Sequence, residues 1–149
     1  DLAGDMAEKV KFTKKDIAFF VATSGSYGEI FSYLWEVLLD LELLEKGDEV
    51  ENLISGLPSD IRIEEIAKDL KLKKVKSKTK PEFFEFENGK EFTESPLMQF
   101  FLFPIWLDFL KGKEKEQVIK KLAQKIDDEH DKMSFRFTVK ATILTGQKC

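Results

Sequence analysis

Apolar residues along the chain fall into blocks with two different periods. Ile17–Ala22 is an unbroken apolar run, short enough for a strand covered on both faces. Ser24-Gly25-Ser26-Tyr27-Gly28 then supplies small, turn-competent residues. From Gly28 the period becomes helical. Ile30, Phe31, Leu34, Trp35, Leu38, Leu41 and Leu44 share one broad face, which predicts a helix over 28–45 with Gly47 as its stop. Val50 to Ile54 reads as a short helical turn. Gly56-Leu57-Pro58-Ser59-Asp60 reads as a loop whose Ser59 or Asp60 caps a helix over 61–70.

Residues 71–79 are lysine-rich and alternate poorly, the pattern of an edge strand whose lysines block aggregation; an anion site is the weaker reading of the same lysines. Phe84 and Phe86 alternate with Glu85 and Glu87, so these acidic residues are expected to face the lysines across a hairpin. Asn88-Gly89 reads as a turn. Ser95-Pro96 can start a helix, and Pro104 should kink or restart it. Phe100, Phe101, Phe103, Trp106 and Phe109 place aromatics on nearly every face of that segment, the composition of a core helix or of a lid over an apolar substrate. Val118, Ile119, Leu122 and Ile126 give 113–130 a narrow apolar stripe. Residues 134–146 close the chain as a strand, with Phe135, Phe137, Val139, Ala141 and Ile143 on one buried face.

These elements predict an α/β fold with a mixed sheet: 16–23 and 134–146 as neighbouring inner strands, 71–79 on the edge, and helices 28–45, 61–70 and 113–130 covering it. A length of 149 residues makes one domain, 1–149, the default, with 91–130 a helical insertion or lid. Asp1 to Lys9 reads as the tail of a helix. In open α/β sheets ligands sit beyond the carboxyl ends of strands, which draws attention to residues 23–28.

Charge narrows the partners. A net charge of −4 argues against a nucleic-acid binder working by phosphate neutralisation. The single cysteine, Cys149, permits no internal disulfide, and no apolar run approaches the length of a membrane span; a cytoplasmic protein is the simplest expectation. Asp127 to Asp131 resembles a metal cluster only at first sight, because consecutive helical residues point apart and His130 is the only histidine. No serine–histidine–aspartate set, cysteine nucleophile or phosphate loop has supporting spacing, and the glycines include no Gly-x-Gly pair.

The stretch from Ile17 to Trp35 resembles the fifth strand and following helix of class I S-adenosylmethionine-dependent methyltransferases of the small-molecule type. In that family a Leu-Lys-Pro-Gly-Gly turn precedes the strand; here Val10 to Asp16 stands in its place without Pro-Gly-Gly. Phe135 to Lys148 resembles the family's last strand, and Leu70 to Lys80 occupies the place of the strand that follows a small helix. The resemblance implies the C-terminal half of a Rossmann-like methyltransferase fold with a helical aromatic insertion. It implies S-adenosylmethionine as cofactor, although the glycine loop and ribose-binding acid that hold it are missing from this chain. It further implies a small, apolar or amphipathic substrate facing Ser24, Gly25, Ser26, Tyr27, Trp35, Phe101 and Trp106. Two other readings stay open: a non-catalytic module holding a hydrophobic small molecule, and an interaction protein that forms a homodimer or meets a partner through the aromatic helix.

Overall fold

The computed structural model describes residues 2–12, 15–130 and 134–148. Thr13, Lys14, Asp131 and Cys149, which figured in the turn, the acidic cluster and the cysteine argument, lie outside the described residues. In chain order the elements are α1 (Leu2–Phe12), β1 (Asp16–Ala22), α2 (Gly28–Asp40), a 3-10 turn (Leu44–Lys46), α3 (Gly47–Ser55), α4 (Asp60–Asp69), β2 (Lys73–Phe86), α5 (Gly89–Glu94), a wide π-helical segment (Leu97–Leu102), α6 (Phe103–Trp106), α7 (Lys113–His130) and β3 (Phe135–Gln147). The strands form one open α/β sheet in the order β1-β3-β2, and it is antiparallel. Asp16 faces Gln147 and Ala22 faces Ala141 at the two ends of the β1–β3 ladder.

Several expectations are corrected. The sheet is antiparallel rather than mixed, and β1 is an edge strand among the described residues rather than an inner one. Its apolar run is not covered on both faces: Ile17 and Phe19 are buried, but Phe20 is 75% exposed. The lysines and glutamates of 71–87 do not face each other across a hairpin, because Lys73–Phe86 is one continuous strand. Pro81 does not break it, because β2 lies on the sheet edge, where proline is tolerated. Asn88-Gly89 is a helix start instead of a turn, with the Asn88 side chain accepting from the Glu91 N–H at 2.8 Å. α2 ends at Asp40, and Gly47 opens α3 rather than stopping α2. Gly47 is required for another reason: the Trp35 ring lies against its Cα, where a Cβ would collide with it.

The chain divides into two compact units. The first comprises Asp1–Ser26, Leu57–Glu82 and Val139–Cys149. Its core is built from Met6 and Val10 of α1, Ile17 and Phe19 of β1, Ile63, Ile66 and Ala67 of α4, Leu72, and Leu144 of β3. Met6 and Val10 are spaced for one helical face, and Ile17 and Phe19 for one strand face, so each element offers a single apolar side. In this part of β3 the buried positions are Thr142, Leu144 and Gly146, while Ile143 is 37% exposed; the expected burial of Ala141 and Ile143 is inverted here. The physical reason is that α1 and α4 pack on the face that carries Leu144.

The second unit comprises Tyr27–Gly56 and Phe83–Thr138. Its interior is aromatic: Phe92 lies 4.9 Å edge-on to Phe135 and 5.9 Å from Phe137, which stacks on Phe84 at 5.2 Å. Around these rings Leu34, Val37 and Leu38 of α2 and Val118, Leu122 and Ile126 of α7 are fully or nearly fully buried. Gly89 starts α5 so close to the Ala123 carbonyl that a Cβ would collide with it, and its N–H donates to Asp127 Oδ1 at 2.7 Å. The aromatic segment is two-sided rather than apolar all round: Met98, Phe103, Trp106, Leu107 and Leu110 are buried, whereas Phe100, Phe101 and Ile105 face solvent. Pro104 stands in the first turn of α6, where it restarts the helix. Among the described residues no helix is long and apolar enough to cross a membrane.

Candidate functional site

Where β1 ends, the first unit forms a polar crevice of about 200 Å³ lined by Thr23, Ser24, Ser59, Asp60, Thr79 and Lys140. The crevice exists because the chain leaves the ladder one residue after Ala22. The Thr23 N–H makes the last β-type bond, to the Lys140 carbonyl at 2.9 Å, and the Thr23 hydroxyl donates to the same oxygen at 2.8 Å. That hydroxyl is also 3.1 Å from the Thr142 hydroxyl, which in turn is 2.7 Å from the Thr79 hydroxyl. A chain of three hydroxyls therefore crosses the sheet from β1 through β3 to β2. Thr142 is fully buried, so its hydroxyl must find partners inside the protein, and these two threonines supply them.

The loop itself is held at each residue. Ser24 donates through its N–H to the Pro58 carbonyl at 2.9 Å and through its hydroxyl to the Leu57 carbonyl at 3.1 Å. Gly25 has φ of +90°, a conformation in which an L side chain is strained, and a Cβ there would sit 2.9 Å from the Lys140 ammonium nitrogen. Ser26 is buried and its hydroxyl accepts the Lys140 N–H at 2.8 Å. Ser59 caps α4 by accepting the Arg62 N–H at 3.1 Å, and Asp60 Oδ1 accepts the Ile61 N–H at 2.9 Å. The residues predicted at this end of β1 are thus Ser24, Gly25 and Ser26. Sequence reading missed Lys140 and Thr142, which come from β3, and Thr79, which comes from β2.

The remaining predicted residues lie in the second unit. Tyr27 begins α2 with φ of 65°. Its N–H donates to the Thr138 carbonyl at 2.8 Å, while Glu29 accepts the Thr138 N–H at 3.2 Å and its hydroxyl at 2.8 Å. This pairing fixes the first turn of α2 on β3. The Tyr27 ring meets Trp106 edge-on at 4.9 Å, and Phe31 lies the same distance from Trp106. Burial pushes the Tyr27 phenol up from its ordinary pKa. Trp106 is 8% exposed and belongs to this packed cluster. Trp35 is half-buried against Gly47, and Phe101 is 64% exposed. So the structure brings Tyr27 and Trp106 together and leaves Trp35 and Phe101 apart from them.

The crevice can position a small polar group by hydroxyls, one ammonium and one carboxylate. It holds no activated nucleophile: the threonine hydroxyls bond to each other and to a carbonyl, with no imidazole among them. His130, in the second unit, is 2.8 Å from the Tyr33 hydroxyl. Burial first, then the hydrogen bond and charge of Glu129 and the charge of Glu36, push the Tyr33 phenol up to about 12. Among the described residues no three His, Cys, Asp or Glu side chains are grouped to hold a metal ion. Compared with known proteins, the chain matches no family model and no curated sequence.

Proposed function

We propose that this chain is the substrate-side part of an S-adenosylmethionine-dependent methyltransferase acting on a small, apolar or amphipathic molecule. The observation that carries the reading is the strand order β1-β3-β2. The last strand lies between the other two, the neighbour order expected of this half, and β1 feeds α2 through a small polar loop. Methyl transfer to an activated substrate rests mainly on positioning, so a site of hydroxyls, one ammonium and one carboxylate is compatible with it.

The residues present do not fit the methyl donor itself. A crevice of about 200 Å³ is smaller than the roughly 300–1,000 Å³ typical of small-molecule pockets, and no glycine loop approaches it. The donor site and the cytoplasmic location belong to the proposal as properties of a larger assembly, and no chemical step is assigned to the donor here. The test is calorimetric titration of the folded chain with S-adenosylmethionine and S-adenosylhomocysteine, beside titration with a small amphipathic aromatic such as 1,4-naphthoquinone. Saturable binding of the quinone without heat from either donor compound is the expected result. Micromolar donor binding would overturn the assignment of this chain to the substrate side alone. Silence from all three would favour the second reading.

That second reading is a non-catalytic module that binds a hydrophobic partner or forms a homodimer through the aromatic segment. Phe100 at 74%, Phe101 at 64% and Ile105 at 71% exposure favour it, because so much apolar surface on one short segment is unusual without something to cover it. Self-association abolished by Phe101→Ser would support it.

A further inference from the structure

The two outer edges of the sheet are built differently. The outer edge of β2 is blunted: it carries Lys73, Lys74, Lys76, Lys78 and Lys80, then Pro81, and Lys74 has a left-handed φ of 54° that kinks the strand. These are the devices that keep an edge from pairing with another chain. β1 has none of them. From Ile17 to Ala22 there is no charge, no proline and no positive φ.

The register defines what this open edge offers. The Lys148 N–H donates to the Lys15 carbonyl and the Thr23 N–H to the Lys140 carbonyl, so odd-numbered residues of β1 bond inward to β3. The N–H and C=O groups of Asp16, Ala18, Phe20 and Ala22 consequently point away from the sheet, and no strand takes them among the described residues. Beside this edge runs a groove of about 640 Å³ lined by Asp5, Glu8 and Lys9 of α1 and residues Asp16–Phe19, leaving room for another strand. The opposite face of β1 carries an exposed apolar pair: Phe20, 75% exposed, stands directly across from Ile143, 37% exposed.

We propose that β1 pairs with β1 of a second copy of this chain, antiparallel about a two-fold axis, so that two three-stranded sheets join edge to edge. The strand is self-complementary in this arrangement. With Phe19 at the axis, all of Asp16–Ala22 is paired, Ala18 lies opposite the second copy's Phe20, and Asp16 opposite its Ala22. Small meets large across the ladder. The two Phe20 rings become diagonal neighbours, roughly 7–8 Å apart and within aromatic reach, so the most exposed ring of the unit gains a cover. The two Asp16 carboxylates are kept about 20 Å apart along the strands, so they do not oppose each other. The new ladder continues the antiparallel pattern of the existing sheet, and a two-fold contact of this kind closes at two copies. This surface is distinct from the aromatic segment of the second unit.

Sedimentation velocity between about 1 and 100 μM decides the question. The expected result is a reversible monomer–dimer equilibrium with nothing larger. Ala18→Pro removes an outward N–H that β3 does not use, and should weaken association at least tenfold. Phe20→Lys, at an exposed side chain, should do the same without disturbing the fold, and decides the matter if the proline variant unfolds. Phe101→Ser should leave the dimer unchanged. A chain that stays monomeric at 100 μM, open-ended aggregates, or a dimer that survives Phe20→Lys but is lost in Phe101→Ser would each overturn the proposal.

Discussion

The hydroxyls of Thr23 and Thr142 lie 3.1 Å apart across 119 residues of sequence. Thr142 has no access to solvent, so its hydroxyl depends on Thr23 and Thr79 alone. Thr142→Val keeps the shape and removes the middle of the chain of hydroxyls. The expected cost is about 1–2 kcal/mol in urea unfolding, with the Thr79 hydroxyl losing its partner. An unchanged midpoint would show that the ladder does not contribute to stability.

Gly25→Val tests the loop after β1. At φ of +90° a β-branched residue is strained, and the Lys140 side chain must also give way. Destabilisation of about 1–3 kcal/mol is expected from the backbone strain. Since the Lys140 end is flexible, the backbone term should dominate, and Gly25→Val combined with Lys140→Ala should recover little of the loss.

Trp106 and Phe101 should behave oppositely although both were read as substrate-facing. Trp106→Ala empties a packed position between Tyr27 and Phe31 and should cost about 3–5 kcal/mol. Phe101→Ser, at 64% exposure, should stay within about 0.5 kcal/mol. Thermal unfolding followed by circular dichroism measures both.

Tyr33 gives the chain a stability loss at high pH. Its folded pKa is raised from 10.0 to about 12, so the folded state holds the proton more tightly than the unfolded state. The corresponding stabilisation is complete below the unfolded value of 10.0 and is lost as pH rises through the folded value of about 12. Tyr33→Phe should flatten this part of the stability–pH curve. Ultraviolet titration of the variant should lose the tyrosine that ionises near 12.

Much of the secondary structure was legible because single periods persist: α7 spans Lys113–His130 and α2 begins at Gly28, where the patterns place them. What the pattern could not give is which face is covered at each point along a strand. In β3, Phe135 and Phe137 are buried at odd positions, and Thr142 and Leu144 at even ones. A binary alternation assigns one inside face throughout, so Thr142 read as a surface residue and the crevice partners were missed. Local chemistry misled at Asn88-Gly89, because asparagine serves equally as turn former and helix cap and only the following packing of Gly89 against Ala123 chooses. Within the predicted site, Ser24, Gly25 and Ser26 were found through turn chemistry. Lys140 and Thr79 come from distant strands and had no local signal.

β1 has a single ladder partner among the described residues, and that partner is the last strand of the chain. During synthesis Ile17–Ala22 leaves the ribosome long before Ala141–Gly146 exists. The first unit contains residues Val139–Cys149 and the second contains Phe135 to Thr138, so both must wait for the same late segment. Both units therefore wait for β3 to be made, and the apolar hexapeptide of β1 stays unpaired on the nascent chain until then. Slow codons before residue 135 would lengthen that exposure, which ties the yield of this protein to its rate of elongation and to chaperone capture of one short strand.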